Sequence, residues 1–219
     1  FILGTTGTLE HLSDPEMTIL RDDYQIKHHT YLPSVFGGSN RRFNHATDIT
    51  IIESGEQDYH LTIFQEIMRR MDGRSQGTQR AVLVFFESIT HLKAFYNTSF
   101  MDGVRSTTIE LTEELNQQEK EIAIRRATSA GQITLLTRVF GRGIDFICHD
   151  AMVQSNGGVH ILQTFLSEEL SEEVQIQGRA ARQGQEGSYS MILLSNHLEK
   201  FGISERDLRK DNVYRVLDE

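Results

Sequence analysis

The sequence predicts an α/β domain of three layers, α/β/α, in which helices cover both faces of a mostly parallel sheet. Three observations carry that prediction. From Ala46 onward, short apolar runs alternate with longer segments of helical periodicity, the pattern of repeated βαβ units. Residues 80–86, Arg-Ala-Val-Leu-Val-Phe-Phe, are apolar without alternation, as a strand buried on both faces must be. The length, 219 residues, is enough to enclose a sizeable core in one large domain or two small ones.

The elements follow in order. Residues 14–44 are irregular, with Pro15, Pro33 and the polar run Gly37-Gly38-Ser39-Asn40-Arg41-Arg42, and read as an extended surface connector. Residues 48–53 (Asp-Ile-Thr-Ile-Ile-Glu) are rich in β-branched side chains and predict a strand. Over 58–71, Leu61, Phe64, Ile67, Met68 and Met71 fall at helical spacing. The strand at 80–86 leads to a helix over 88–96 whose inner face is Ile89, Leu92, Phe95 and Tyr96. A strand at 107–111 precedes a helix over 114–127, where Glu113 and Glu114 complement the dipole of the first turn. Strands are predicted at 132–137, 145–148 and 159–165, then a helix at 168–177, a strand at 189–194 and a short polar helix. In parallel sheets ligands gather at the carboxyl ends of strands. That directs attention to the loops after Thr137, after Phe165 and before Tyr189.

Composition narrows the function classes. With 22 Lys and Arg against 31 Asp and Glu, the formal charge of −9 argues against a general nucleic-acid coat while leaving room for a local basic patch. A single cysteine, Cys148, excludes an internal disulfide and makes a cysteine-based zinc site remote. No apolar run approaches the ~18 residues of a membrane-spanning helix. The opening Phe1-Ile2-Leu3-Gly4 lacks the basic leader and long apolar core of a signal peptide, and a cytoplasmic location is expected. The absence of an initiator Met is expected of a chain cut from something longer. Of the histidines, His28 and His29 are adjacent and point apart in an extended chain, and His149 beside Cys148 is joined by no second cluster, so no metal site is expected.

Three glycine-bearing segments can carry chemistry. Residues 137–145 read Thr-Arg-Val-Phe-Gly-Arg-Gly-Ile-Asp: Gly141 and Gly143 flank Arg142, and Asp145 could fix a neighbouring arginine or a water. By itself this is a common turn. Residues 175–184 read Gln-Ile-Gln-Gly-Arg-Ala-Ala-Arg-Gln-Gly. Arg179 and Arg182 are three apart and would share a face if the helix continued, and guanidinium forks match phosphate oxygens. An equally weighted alternative pairs the two arginines with Glu168, Glu169, Glu172 or Glu173. The third segment is Gly4-Thr5-Thr6-Gly7-Thr8, which alone is a surface turn.

Their order is more specific than any one of them. The series runs Gly-Thr-Thr-Gly-Thr, a buried strand ending at Ser88, Gly-Arg-Gly-Ile-Asp, Gly157-Gly158-Val159-His160-Ile161, and Gln-Ile-Gln-Gly-Arg-Ala-Ala-Arg-Gln-Gly. It resembles the second nucleotide-binding domain of the SecA preprotein translocase ATPases and, more broadly, the C-terminal RecA-like domain of superfamily 2 helicases. Residues 137–145 are similar to helicase motif V and residues 175–184 to motif VI. Gln185 stands where SecA normally has an acid, and the acidic segment 168–173 stands where SecA is basic and polar, so the chain resembles a diverged relative.

The resemblance implies a division of labour. Residues 1–45 would connect from a first motor domain, 46–200 would form the RecA-like domain, and 201–219 would be a tail. ATP and Mg²⁺ would lie between two such domains, the first supplying the phosphate-cradling loop, its lysine and the acidic magnesium ligand. This chain has neither a Gly-x-x-x-x-Gly-Lys-Ser/Thr loop nor an Asp-Glu-Ala-Asp-like box and is expected to be inactive alone. By position, Arg182 would be the arginine finger, Arg179 its companion, and Gln175 a sensor of the phosphate or its water. Gly141, Arg142, Gly143, Asp145, Gly178 and Gln185 would border the nucleotide. Implied partners are the first RecA-like domain of the same protein, an unfolded polypeptide and a membrane translocon. Two other readings remain: the C-terminal domain of a nucleic-acid helicase, with Arg41-Arg42 and Arg69-Arg70 as candidate phosphate contacts, and a non-hydrolysing regulatory or interaction module.

Overall fold

A computed structural model describes residues 4, 12–30, 32, 35–75 and 77–203. Among them, seven strands form one sheet: β1 (Asn40–Arg42), β2 (Ile49–Ile52), β3 (Val82–Phe86), β4 (Ile109–Leu111), β5 (Ile133–Thr137), β6 (Val159–Gln163) and β7 (Glu186–Leu194). Their order is β1-β7-β6-β3-β5-β4, and β2 also pairs with β7. Each of these pairings is parallel. β1 pairs with Glu186, Gly187 and Ser188, and β2 with 191–194, so the two strands lie end to end along one side of β7.

The helices are α1 (Asp14–Thr18), α2 (His45–Asp48), α3 (Glu56–Met71), α4 (Ile89–Tyr96), α5 (Gln117–Arg126), α6 (Ala151–Ser155), α7 (Leu170–Gln177) and α8 (Ser195–Leu198). The period-two geometry of β3 divides the core between two layers. Val82, Val84 and Phe86 pack with Tyr59, Ile63 and Ile67 of α3 and Leu92 and Phe95 of α4. Leu83 and Phe85 face the other way, into a cluster with Ala123 of α5, Ile176 of α7 and Tyr189 of β7. Helices therefore cover both faces of a parallel sheet, as the unbroken apolar run requires. Burying each of these large side chains contributes about 1.5–3 kcal/mol.

The structure departs from the sequence reading in three places. The connector is not wholly extended: Ser13 and Glu16 form a capping box with Pro15 in the first turn, which starts α1, and the chain continues as a π-helical turn over Ile19–Asp23. α5 starts at Gln117 because Asn116 and Glu119 cap each other's backbone N–H groups at 3.0 and 2.9 Å, so Glu113 and Glu114 precede the helix. Residues 145–148 form no strand. Phe146 and Cys148 are buried and Ile147 is exposed, which mimics a strand's alternation. Their carbonyls are taken by side chains: Thr128 Oγ1 donates to Ile147 O at 3.0 Å, and Gln154 Nε2 to Cys148 O at 2.6 Å. All but Gly4 of the Gly-Thr-Thr-Gly-Thr turn, and most of the 201–219 tail, lie outside the described residues.

Candidate functional site

Two segments singled out in the sequence meet beside α7. The helix ends at Gly178, whose N–H reaches Val174 O at 2.9 Å. Ala181 (φ 55°) and Gln183 (φ 51°) then adopt left-handed backbone, and Gly184 (φ 79°) follows. This tight coil takes Arg182 off the helix, so Arg179 and Arg182 do not share a helical face as their spacing suggested. The coil lies flat on the start of β7: a Cβ on Gly187 would stand 2.4 Å from Ala181 N.

That placement corrects a second expectation. β7 runs parallel to its neighbours and starts at Glu186, so the segment before it lies at the amino edge of the sheet, opposite the loops that follow β5 and β6. The chain after β5 covers the distance. It makes one 3-10 turn over Arg138–Gly141, then runs alongside α7 toward the amino edge. Gly141 abuts the helix, where a Cβ would lie 2.7 Å from Ile176 Cγ1. Further along, Gln185 Nε2 donates to Cys148 O at 3.2 Å.

Arg179 ties the two segments together. Its Nε and Nη2 donate to Gly141 O at 2.9 and 2.5 Å, and its Nη1 donates to Ile144 O. Burial lowers the pKa of this guanidinium from its ordinary value, Arg182 adds to that, and Asp145 opposes it. Arg182 Nη1 pairs with Asp145 Oδ1, with side-chain exposures of 33% and 47%. The two arginines thus differ in kind. Arg179 is spent on backbone carbonyls, whereas Arg182 is an accessible cation whose one carboxylate partner an anionic ligand could replace.

Among the described residues, Glu168, Glu169 and Glu172 of the acidic segment pair with other arginines. Arg138 makes a bidentate pair with Glu172 at 2.8 and 2.7 Å and lies 5.4 Å over the Phe165 ring. Hydrogen bonding to Glu172 raises its pKa against the opposing effect of burial. Arg142 donates to Glu169 Oε2 at 2.9 Å and to Ser171 Oγ at 3.2 Å. Gly143 (φ +70°) and Gly178 are exposed beside the site, and Gln175 is half-buried on α7. Sequence reasoning missed Arg138 and Glu172 as a pair. The signal was present in the run of acids at 168–173, which required counter-charges.

The helicase conserved C-terminal domain model matches residues 60–184. Among curated proteins, protein translocase subunit SecA 2 of Geobacillus thermodenitrificans is 28% identical over 155 residues, covering 70% of this chain and 18% of that protein. SecA of Lawsonia intracellularis is 42% identical over 76 residues, 35% of this chain and 9% of that protein. SecA of Campylobacter lari is 27% identical over 157 residues, 71% of this chain and 17% of that protein. The chain spans less than a fifth of the length of these relatives. Among solved structures, E. coli DEAD-box protein SrmB, bound to regulator of ribonuclease activity A, superposes with a TM-score of 0.54 at 16% identity, covering 75% of this chain and 86% of that one. Domain 2 of the DEAD-box helicase Mss116p, bound to an RNA duplex, gives 0.50 at 17% identity, with 72% and 61% covered. These likenesses concern the fold, and they match its parallel sheet with helices on both faces.

Proposed function

This chain belongs to the helicase conserved C-terminal domain family, and from that premise we propose that it is the second motor domain of a SecA-like ATPase. In this reading it closes over ATP held by a first RecA-like domain of the same protein and couples nucleotide turnover to movement of an unfolded polypeptide at a membrane translocon. The observation that carries the reading is Arg182, an accessible guanidinium held by Asp145 on a scaffold braced by Arg179. Among the described residues, no helix is long and apolar enough to cross a membrane, so the translocon would be a partner.

The donors present fit one side of a triphosphate site. Arg182 would bind and orient the terminal phosphate once Asp145 releases it. Arg179 would hold residues 141–145 in register with the motif VI coil, and Gln175 and Gln185 would add neutral hydrogen bonds nearby. Bound Mg·ATP supplies the phosphoryl group that is transferred to water. A guanidinium neutralising charge that spreads over that group is worth about 10³ to 10⁵ in rate, or ~4 to 7 kcal/mol. No phosphate-cradling loop is present in the sequence, so the remaining ligands would come from the first domain.

The test is stimulation of ATP hydrolysis in the longer protein that contains this chain. Unfolded polypeptide should stimulate it and single-stranded RNA should not; the reverse result would replace the translocase reading with a helicase one. The chain alone should bind ATP weakly, and micromolar affinity by calorimetry would contradict a half-site. One observation favours a second reading, a non-hydrolysing regulatory module: Arg138 and Arg142, within the motif V segment, are both neutralised within the chain by Glu172 and Glu169. Hydrolysis by the longer protein would reject it.

A further inference from the structure

A different cavity, of about 150 Å³, opens at the amino edge of the sheet. Its lining includes Arg42, Arg70, Arg74, Arg80, Asp72 and Ser188, and none of the residues assigned above to the nucleotide. Arg70, Arg74 and Arg80 fall within residues 70–80, and Arg42 comes from well before them in the sequence. The fold gathers them because β1, the end of α3, the turn after it and the entry to β3 all lie at that edge.

Arg80 forms the floor and is only 8% exposed. Its Nε donates to Gly158 O at 2.8 Å, and its Nη2 to Gly157 O at 2.9 Å and Ser188 Oγ at 2.7 Å. Nη1 makes no hydrogen bond among the described residues, so a buried guanidinium keeps one pair of donors uncommitted in a cavity it lines. Burial, and then the charges of Arg70, Arg42 and Arg74, push its pKa down to about 10, with Glu186 opposing. The local field is therefore positive in a chain of net charge −9.

The surrounding carboxylates do not balance it. Asp48 and Glu66 engage Arg70, and Glu66 is shared with Arg69. Glu186 alone serves both Arg74 and Arg42, the latter at 3.6 Å. Those two side chains are 42% and 66% exposed, free to turn toward a ligand from a partner worth little in water. Among the described residues, Asp72 is the only carboxylate in the lining.

We propose that this cavity binds a phosphate-type oxyanion, gripped by Arg42 and Arg74 from the rim and by the free edge of Arg80 from the floor. Planar guanidinium donors converging from three sides suit a tetrahedral oxyanion. The cavity has room for a phosphate group and opens to solvent, so the ligand is either the free anion or the terminal phosphate of a monoester.

The test is calorimetric titration of the 219-residue chain with inorganic phosphate and, separately, with phenyl phosphate, at constant ionic strength in chloride. Saturable one-site binding is expected, weakened by at least about tenfold in the double variant Arg42→Gln/Arg74→Gln. Both changes are on exposed side chains, so the fold should persist, and melting checks it. Tighter binding of phenyl phosphate would identify a monoester, and tighter binding of phosphate the free anion. No saturable binding, equal affinity in the double variant, or a loss that follows Arg182→Ala instead would overturn the proposal.

Discussion

Arg179 and Arg182 sit three residues apart in one motif, and the structure predicts that removing them has different consequences. Arg179→Ala removes three donors from two carbonyls, Gly141 O and Ile144 O. Hydrogen bonds to a charged partner contribute about 1.5–3 kcal/mol each. Two donors share one carbonyl and the side chain is half-buried, so the loss should total about 2–4 kcal/mol. Arg182→Ala removes one ion pair between half-exposed groups, worth about 0–1 kcal/mol. Urea unfolding of the chain measures both, with unchanged m-values licensing the comparison. Arg179→Lys should fall between, because an ammonium on a flexible stem cannot reproduce the fork. If Arg179→Ala cost less than about 1 kcal/mol, or no more than Arg182→Ala, the strut assignment would be wrong.

Two further outcomes follow from the core of the sheet. Gly158→Ala should cost more than about 3 kcal/mol, since its φ is +71° and a Cβ would stand 1.7 Å from Glu186 O. Gly143→Ala, at φ +70° with open space around it, should cost only about 1–2 kcal/mol; similar melting of the two variants would contradict the close β6–β7 approach. His160, buried between Ser188 Oγ at 2.8 Å and Ser190 Oγ at 3.0 Å, has its pKa held well below the ordinary value by burial and by Arg70, Arg80 and Arg69. Only the unfolded chain takes up that proton, so stability should fall by about 1.4 kcal/mol per pH unit from this group as pH drops below ~6.5. His160→Gln should flatten the slope between about pH 6.5 and 5, and an unchanged slope would count against a neutral buried imidazole.

The parts of the fold that rest on local chemistry were legible in the sequence. The unbroken apolar run at 80–86 marks β3 at the centre of the sheet, and the spacing of Leu61, Phe64 and Ile67 marks α3. Residues 145–148 mislead because alternating burial is necessary for a strand but not sufficient. Whether a carbonyl meets a neighbouring strand or the side chains of Thr128 and Gln154 is decided by tertiary placement. The helical spacing of Arg179 and Arg182 failed for a similar reason, since Ala181 and Gln183 take left-handed conformations that their residue types disfavour. The close packing of Gly187 against the coil explains why that conformation persists. The basic cavity was legible only in part: the pairs Arg41-Arg42 and Arg69-Arg70 stand out in the sequence, but Arg42 joins Arg70, Arg74 and Arg80 only once β1 pairs with β7.

The central claim is that Arg182 acts on phosphate chemistry while contributing little to the fold. Steady-state ATP turnover by the longer protein carrying Arg182→Ala tests it most directly, with urea unfolding of the same variant alongside. The account predicts a fall in kcat of about 10³-fold or more with stability retained within about 1 kcal/mol. Wild-type turnover in a folded variant would contradict it.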